Sequence, residues 1–137
     1  MTDTTSVADL RVAGLLRRGD QALVVQRSLG GQQYAGCWDL PIGPARPGEP
    51  SGSAVVRVLQ KQIGVRVEPP EEPFAHLQGQ QFRVDIYLVD RRIGRPSNRA
   101  AHELDGLAWF TPEEVTGLRL ADPRLPGLLQ AGIDQPR

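Results

Sequence analysis

The sequence predicts a single α/β domain, with a mixed sheet flanked by helices. Three observations predict it. Apolar runs of strand length recur from residue 11 to residue 110, some of them alternating in period two. One long central segment carries apolar residues every four positions. Two short segments near the C-terminus open with helix-start chemistry. A chain of 137 residues fits one such domain and can bury a real core.

Residues 1–8 are polar and expected to be loose. Arg11–Leu16 and Ala22–Gln26 are apolar-rich and read as two strands, joined by turn chemistry at Arg18-Gly19-Asp20. "GGQQYAG" is a loop, and "CWDLPIG" a short strand that runs into the Pro/Gly-rich loop "GPARPGEPSGS". A helix is expected over Gly52–Ile63, with Ser51 or Ser53 as its cap, Gly64 as its stop and Val55, Leu59 and Ile63 as its buried face. "VRVEPPEEP" is a strand stub and turn. "FAHLQGQQFRVDIYLVDRR" is a hairpin, with Phe82, Val84, Ile86 and Leu88 in period two. A polar loop, "IGRPSNRAAHELDG", leads to a short strand, "LAWF". Thr111, Pro112 and Glu114 form a capping box for a short helix. Asp122 with Pro123 opens a second one, and the end "DQPR" is expected to fray. The domain then spans residues 9–134, with 135–137 as a tail.

The composition excludes several classes. Sixteen basic residues balance sixteen acidic ones, which argues against a dedicated nucleic-acid binder. No run approaches the ~20 apolar residues of a membrane span, and the N-terminus lacks the charged and apolar regions of a secretion signal. One cysteine, Cys37, cannot form an internal disulfide. A cytoplasmic protein is the expectation. Fifteen of the sixteen basic residues are arginines, so Lys61 is the chain's only lysine.

Around that lysine the spacing is Gly43, five residues, Glu49, seven residues, Arg57, then Gly64-Val65. It resembles the Nudix box, G-x5-E-x7-R-E-U-x-E-E-x-G-U, where U is apolar. "WDLPIG" resembles the W-x-x-P-G-G entry to that box. "ALVVQR" resembles a family strand in which Arg27 stands where a phosphate-contacting arginine often lies. "HELDGLAWFTPEEV" resembles the segment where a loop glutamate, here Glu103, precedes a Trp-Phe strand. "LADPRLPGLLQ" resembles the last helix of the MutT-like branch, whose start reads a nucleobase, which marks Asp122. The resemblance covers about Arg11 to Ile133. It implies the Nudix-type α/β/α sandwich and Mg²⁺-dependent hydrolysis of a diphosphate-linked substrate.

The box departs from its pattern where the chemistry lies. Its three acidic helix positions, which share one quadrant of a helix, read Val58, Lys61 and Gln62. Valine ligates nothing, glutamine offers a neutral oxygen, and lysine puts a fixed charge where a cation would sit. No metal site is therefore assigned, and the Mg²⁺ that the family implies lacks its ligands. The ligand-binding candidates are Arg27, Arg57, Lys61 and Asp122, and the catalytic candidates are Glu103, His102 and Glu49. Each has a plainer alternative. For Lys61 it is a solvent-facing helix residue, for Arg57 a partner of Glu49 or a main-chain carbonyl, for Glu49 a helix-entry or pairing residue and for Asp122 an N-cap. For His102 and Glu103 it is a solvated loop residue, and for His76 a satisfied strand residue. Three functions stay open: a non-hydrolytic binder of a nucleotide, another phosphorylated small molecule or a protein partner; an enzyme with weak metal-dependent or recruited metal-independent chemistry; and a regulatory homodimer.

Overall fold

The computed structural model of the protein describes residues 9–30 and 34–137. The expected loose segment 1–8 and the middle of the loop at 30–36 lie outside the described residues. The elements are β1 (Asp9–Arg18), β2 (Gln21–Arg27), β3 (Trp38–Asp39), β4 (Ile42–Pro44), α1 (Ser51–Ile63), β5 (Ala75–Gln78), β6 (Phe82–Val89), β7 (Leu104–Phe110), α2 (Pro112–Val115) and α3 (Leu125–Ile133).

The mixed sheet turns on β1. One edge of β1 runs parallel to β6, from Asp9↔Phe82 to Leu16↔Val89. Its other edge is divided. Arg17 and Arg18 pair with β2, whereas Arg11, Val12 and Ala13 pair antiparallel with β4. β2 therefore leaves β1 almost at once and pairs along its length with β7. The splay between β1 and β2 opens the mouth in which the candidate site lies.

Alternation along the strands supplies two cores, because successive side chains face opposite sides of a sheet. Val12, Leu16, Leu23 and Val25 meet Val55, Leu59 and Ile63 of α1. Ala13, Leu15, Val24 and Ile86 meet Val115, Leu125 and Leu129 on the α2–α3 side. The result is the expected α/β/α arrangement. Gly14 shows how closely α1 is seated, since a Cβ there would come within 2.9 Å of both Leu59 methyls. Gly14→Ala is expected to destabilise the fold by about 1–3 kcal/mol through overpacking. Urea denaturation checks this, and an unchanged midpoint would contradict it.

Several local expectations change. The helix α1 begins at Ser51 after Pro50 and has no side-chain cap. The Ser51 hydroxyl instead donates to Asp85 Oδ2 at 3.0 Å and also contacts the Tyr87 hydroxyl. Gly64 does end the helix, at φ 74°, a left-handed conformation that favours glycine. "CWDLPIG" divides into β3 and β4. The last strand starts at Leu104 rather than Leu107, because β2 also pairs Gln26 with Gly106 and Arg27 with Leu104, and the register shift between them passes over Asp105. The stub after Gly64 forms only an isolated bridge, Arg66↔Ile93. α2 has its capping box, with Thr111 Oγ1 accepting from Glu114 N–H at 3.2 Å and Glu114 Oε1 from Thr111 N–H at 2.8 Å.

Asp122 is not the N-cap of α3. Arg124 holds that position, and Asp122 accepts its main-chain N–H at 2.9 Å and pairs with its guanidinium at 2.8 Å. The first N–H of the helix, that of Leu125, goes to the Asp122 main-chain carbonyl at 3.1 Å rather than to its carboxylate. The C-terminal end is tied down rather than frayed. Buried Arg17 donates to the carbonyls of Gly132 and Gln135 at 2.7 Å and of Pro136 at 3.1 Å, while its other N–H groups grip Asp90 at 2.7 Å.

Candidate functional site

The cleft, of about 510 Å³, lies between the C-terminal end of β2, β4 and one face of α1. Arg27, Arg57, Lys61, His102 and Glu103 all line it. The chain path explains the convergence. Arg27 ends β2, the box helix presents Arg57 and Lys61 one turn apart, and a hydrogen bond from Ser28 N–H to Glu103 O at 2.9 Å brings the Glu103 loop alongside. A second cavity, of about 350 Å³, contains Asp122, Asp39 and Tyr34 and shares Arg11, Arg27 and Ile42 with the cleft. Asp122 thus lies in the adjoining cavity rather than beside Lys61.

Glu49 is not in the cleft wall. Its carboxylate accepts from Arg57 Nε at 3.0 Å and Nη2 at 2.8 Å, and from Arg46 N–H at 3.0 Å. Arg57 Nη2 also reaches Pro44 O at 2.8 Å. Both plainer readings of this pair are therefore realised: Arg57 is held by Glu49 and by a carbonyl, and it joins the box loop to α1. The guanidinium holds the Glu49 carboxyl down at about 2, helped by the Arg46 N–H. A carboxylate whose folded pKa lies below its unfolded value stabilises the fold above the unfolded value of about 4.5, and that contribution vanishes as pH falls through about 2. Wild-type protein is therefore expected to lose more melting temperature between these pH values than Glu49→Gln. Parallel slopes in thermal scans would contradict this.

Charge in the cleft is unequally compensated. Arg11 pairs with Asp9 at 3.1 Å, Arg57 with Glu49 at 2.8 Å and Arg27 with Asp39 at 3.5 Å. Lys61 has no carboxylate within salt-bridge distance among the described residues. Arg27 Nε is buried and has no hydrogen-bond partner among the described residues. Burial pushes the Asp39 carboxyl above its ordinary range, against the opposing pull of Arg27. His102 Nε2 is 4.0 Å from Glu103 Oε1, and both side chains are open to solvent. His76 is held outside the cleft, where its Nδ1 meets Asp85 Oδ1 at 2.8 Å and Arg83 donates to the same oxygen at 3.0 Å. Cys37 is buried.

The residues at the box do not fit a Mg²⁺ cage. Val58 is buried and packs against Gly43, where an added Cβ would lie 3.0 Å from a valine methyl. Gln62 Nε2 donates to Ile42 O at 2.8 Å, and its Oε1 is buried without a partner among the described residues. Glu49 is engaged by Arg57. Among the described residues no group of three or more His, Cys, Asp or Glu side chains could hold a metal ion. Mg²⁺ is usually held by one or two carboxylates beside waters and substrate phosphates, and among the described residues this wall offers Glu103 alone, with Lys61 in the same lining.

The sequence reading missed Arg11, which lines both cavities. Its signal is a charged residue next to the apolar run Val12–Leu16. The role of Gln62 as a tether for the Ile42 carbonyl had no sequence signal, because the contact joins residues twenty positions apart.

The mixed sheet between helices, the glycine-bounded helix and the cleft along it define a protein of the Nudix class. The NUDIX domain family matches residues 8–131, and the chain belongs to that family. The chain is 30% identical over 123 residues to a CTP pyrophosphohydrolase of Escherichia coli (strain K12), with 88% of this chain and 87% of that protein covered. The crystal structure of a MutT NUDIX hydrolase from Burkholderia pseudomallei superposes with a TM-score of 0.73 at 20% identity, covering 91% of this chain and 97% of that one. The solution structure of the E. coli ORF135 protein gives 0.70 at 25% identity, covering 96% and 92%. Among the described residues no helix is long and apolar enough to cross a membrane.

Proposed function

We propose that this Nudix protein binds a nucleotide through its phosphates with a tethered cation, Lys61, at the metal position, and that the family's standard metal-dependent hydrolysis is lost. One observation carries the reading. The box helix turns Val58, Lys61 and Gln62 toward the cleft, and the surviving box carboxylate, Glu49, is already bound by Arg57. Lys61, Arg57 and Arg27 would receive phosphate oxygens, since ammonium and guanidinium groups donate to them directly. Asp122 would face the base in the adjoining cavity and accept from its N–H groups. Cytidine triphosphate leads the ligand panel because of the E. coli relative.

A second reading is favoured by Glu103. It lines the cleft, is half exposed and has no short ion pair among the described residues, so it is available as a base for an enzyme of this family. Calorimetry with nucleoside triphosphates in EDTA, paired with assays of phosphate and pyrophosphate release, separates the two. Binding in EDTA without release supports the binder. Release that requires Mg²⁺ or Mn²⁺ overturns it in favour of the relatives' chemistry. Release that survives EDTA supports metal-independent catalysis through Glu103 or His102. Absence of binding at millimolar nucleotide eliminates the small-molecule binder.

A further inference from the structure

We propose that the hollow around Trp109 is a second anion site, suited to a small oligophosphate such as pyrophosphate or tripolyphosphate. Arg18, at the end of β1, and Arg92 and Arg95, in the loop after β6, line it together with Trp109 near the end of β7. Among the described residues no carboxylate lines it.

The hollow is separate from the cleft. β2 pairs Leu23 with Trp109 and Arg27 with Leu104. The rise of four steps along β2, about 13 Å, therefore separates the two places. Arg18 Cζ lies over the Trp109 ring at 4.4 Å from its centroid, and Arg92 Cζ at 5.4 Å. Cation–π stacking gives those two arginines a structural role. It gives Arg95 none, because Arg95 is not stacked on the ring. None of the three has a carboxylate within salt-bridge distance among the described residues. Arg18 has only the Gln21 amide oxygen at 3.4 Å. The nearby Asp90 is already bound through both oxygens by Arg17.

The charge of Arg92 is felt by Asp90, but Arg17 holds both oxygens of that carboxylate. Guanidinium groups gathered without a directly bound carboxylate repel one another, and a multivalent anion between them removes that repulsion. Their N–H edges match phosphate oxygens in pairs. A guanidinium already covers the indole face, so phosphate rather than a stacked base is the chemistry this hollow recognises. Three forks suit a ligand with two or three linked phosphates.

The test is an NMR titration of the intact chain with tripolyphosphate in EDTA, following the arginine Nε–H signals and the Trp109 indole N–H. The expected result is a saturable shift at Trp109 and Arg95 that weakens about tenfold or more in Arg95→Gln. The shift persists in Lys61→Gln, and the Arg95→Gln melting temperature stays at the wild-type value. The absence of a saturable Trp109 shift, with any shifts confined to Arg27 and Arg57 of the cleft, would overturn the proposal, as would an Arg95→Gln affinity equal to wild type. A single-stranded oligonucleotide that moves these signals when tripolyphosphate does not would also overturn it.

Discussion

Arg17→Met is expected to destabilise the protein by about 3 kcal/mol, roughly a 10 °C fall in melting temperature for a domain of this size. The reason is the company of one buried guanidinium, whose side chain is 1% exposed. It closes the end of α3 by donating to the carbonyls of Gly132, Gln135 and Pro136, and it binds Asp90 through two nitrogens. A methionine removes one donor from each of those carbonyls, at about 1 kcal/mol each, and leaves Gly132 O to the Gln135 N–H at 3.2 Å. Asp90 is 41% exposed, so water can replace much of what the arginine gave it, and its share is discounted accordingly. Asp90→Asn should therefore lower stability by less than Arg17→Met. Differential scanning calorimetry of the two variants checks the order. A shift below about 3 °C for Arg17→Met would show that the α3 end holds without its clamp.

Lys61→Glu is expected to weaken triphosphate binding in EDTA by about 10–30-fold. Lys61 is exposed, so one unit charge at 4 Å from a phosphate is worth about 1 kcal/mol, and reversal doubles it. Equal affinity of wild type and variant would remove Lys61 from the site. The companion variant Val58→Glu/Lys61→Glu/Gln62→Glu restores the box acids. It should show a Mg²⁺-dependent rise in melting temperature that the wild type lacks. The Val58 change carries a folding penalty, because that side chain is 2% exposed against Gly43. The measured quantity is therefore the difference with and without Mg²⁺ in each protein. No gain in the triple variant would mean that more than the box acids separates this cleft from a metal site.

The fold was legible wherever a local pattern is also the tertiary pattern. Val55, Leu59 and Ile63 recur at helix spacing because one face of α1 must lie on the sheet. Gly64 ends that helix because its left-handed backbone favours a residue without Cβ. The Thr111–Glu114 capping box is complete within four residues and could be read from the letters. Asp122 and Ser51 were misread for the opposite reason. Both have cap chemistry, but Arg124 claims one and Asp85 with Tyr87 claims the other. A side chain with several competent partners does not announce which one it takes.

The candidate site divides in the same way. That Val58, Lys61 and Gln62 replace three acids is a property of the sequence, and so is the excess of arginine over lysine. Only the folded chain decided which charges have a carboxylate partner. Arg57 and Glu49 neutralise each other at 2.8 Å, Arg27 meets Asp39 at 3.5 Å, and Lys61 is left facing the cleft. Periodicity and capping are set by neighbours a few residues apart, so the letters carry them. Charge pairing, the pinned C-terminal end and the ring of arginines at Trp109 depend on residues brought together by the parallel β1–β6 register and the splay of β2, and those distances exist only after the sheet has formed.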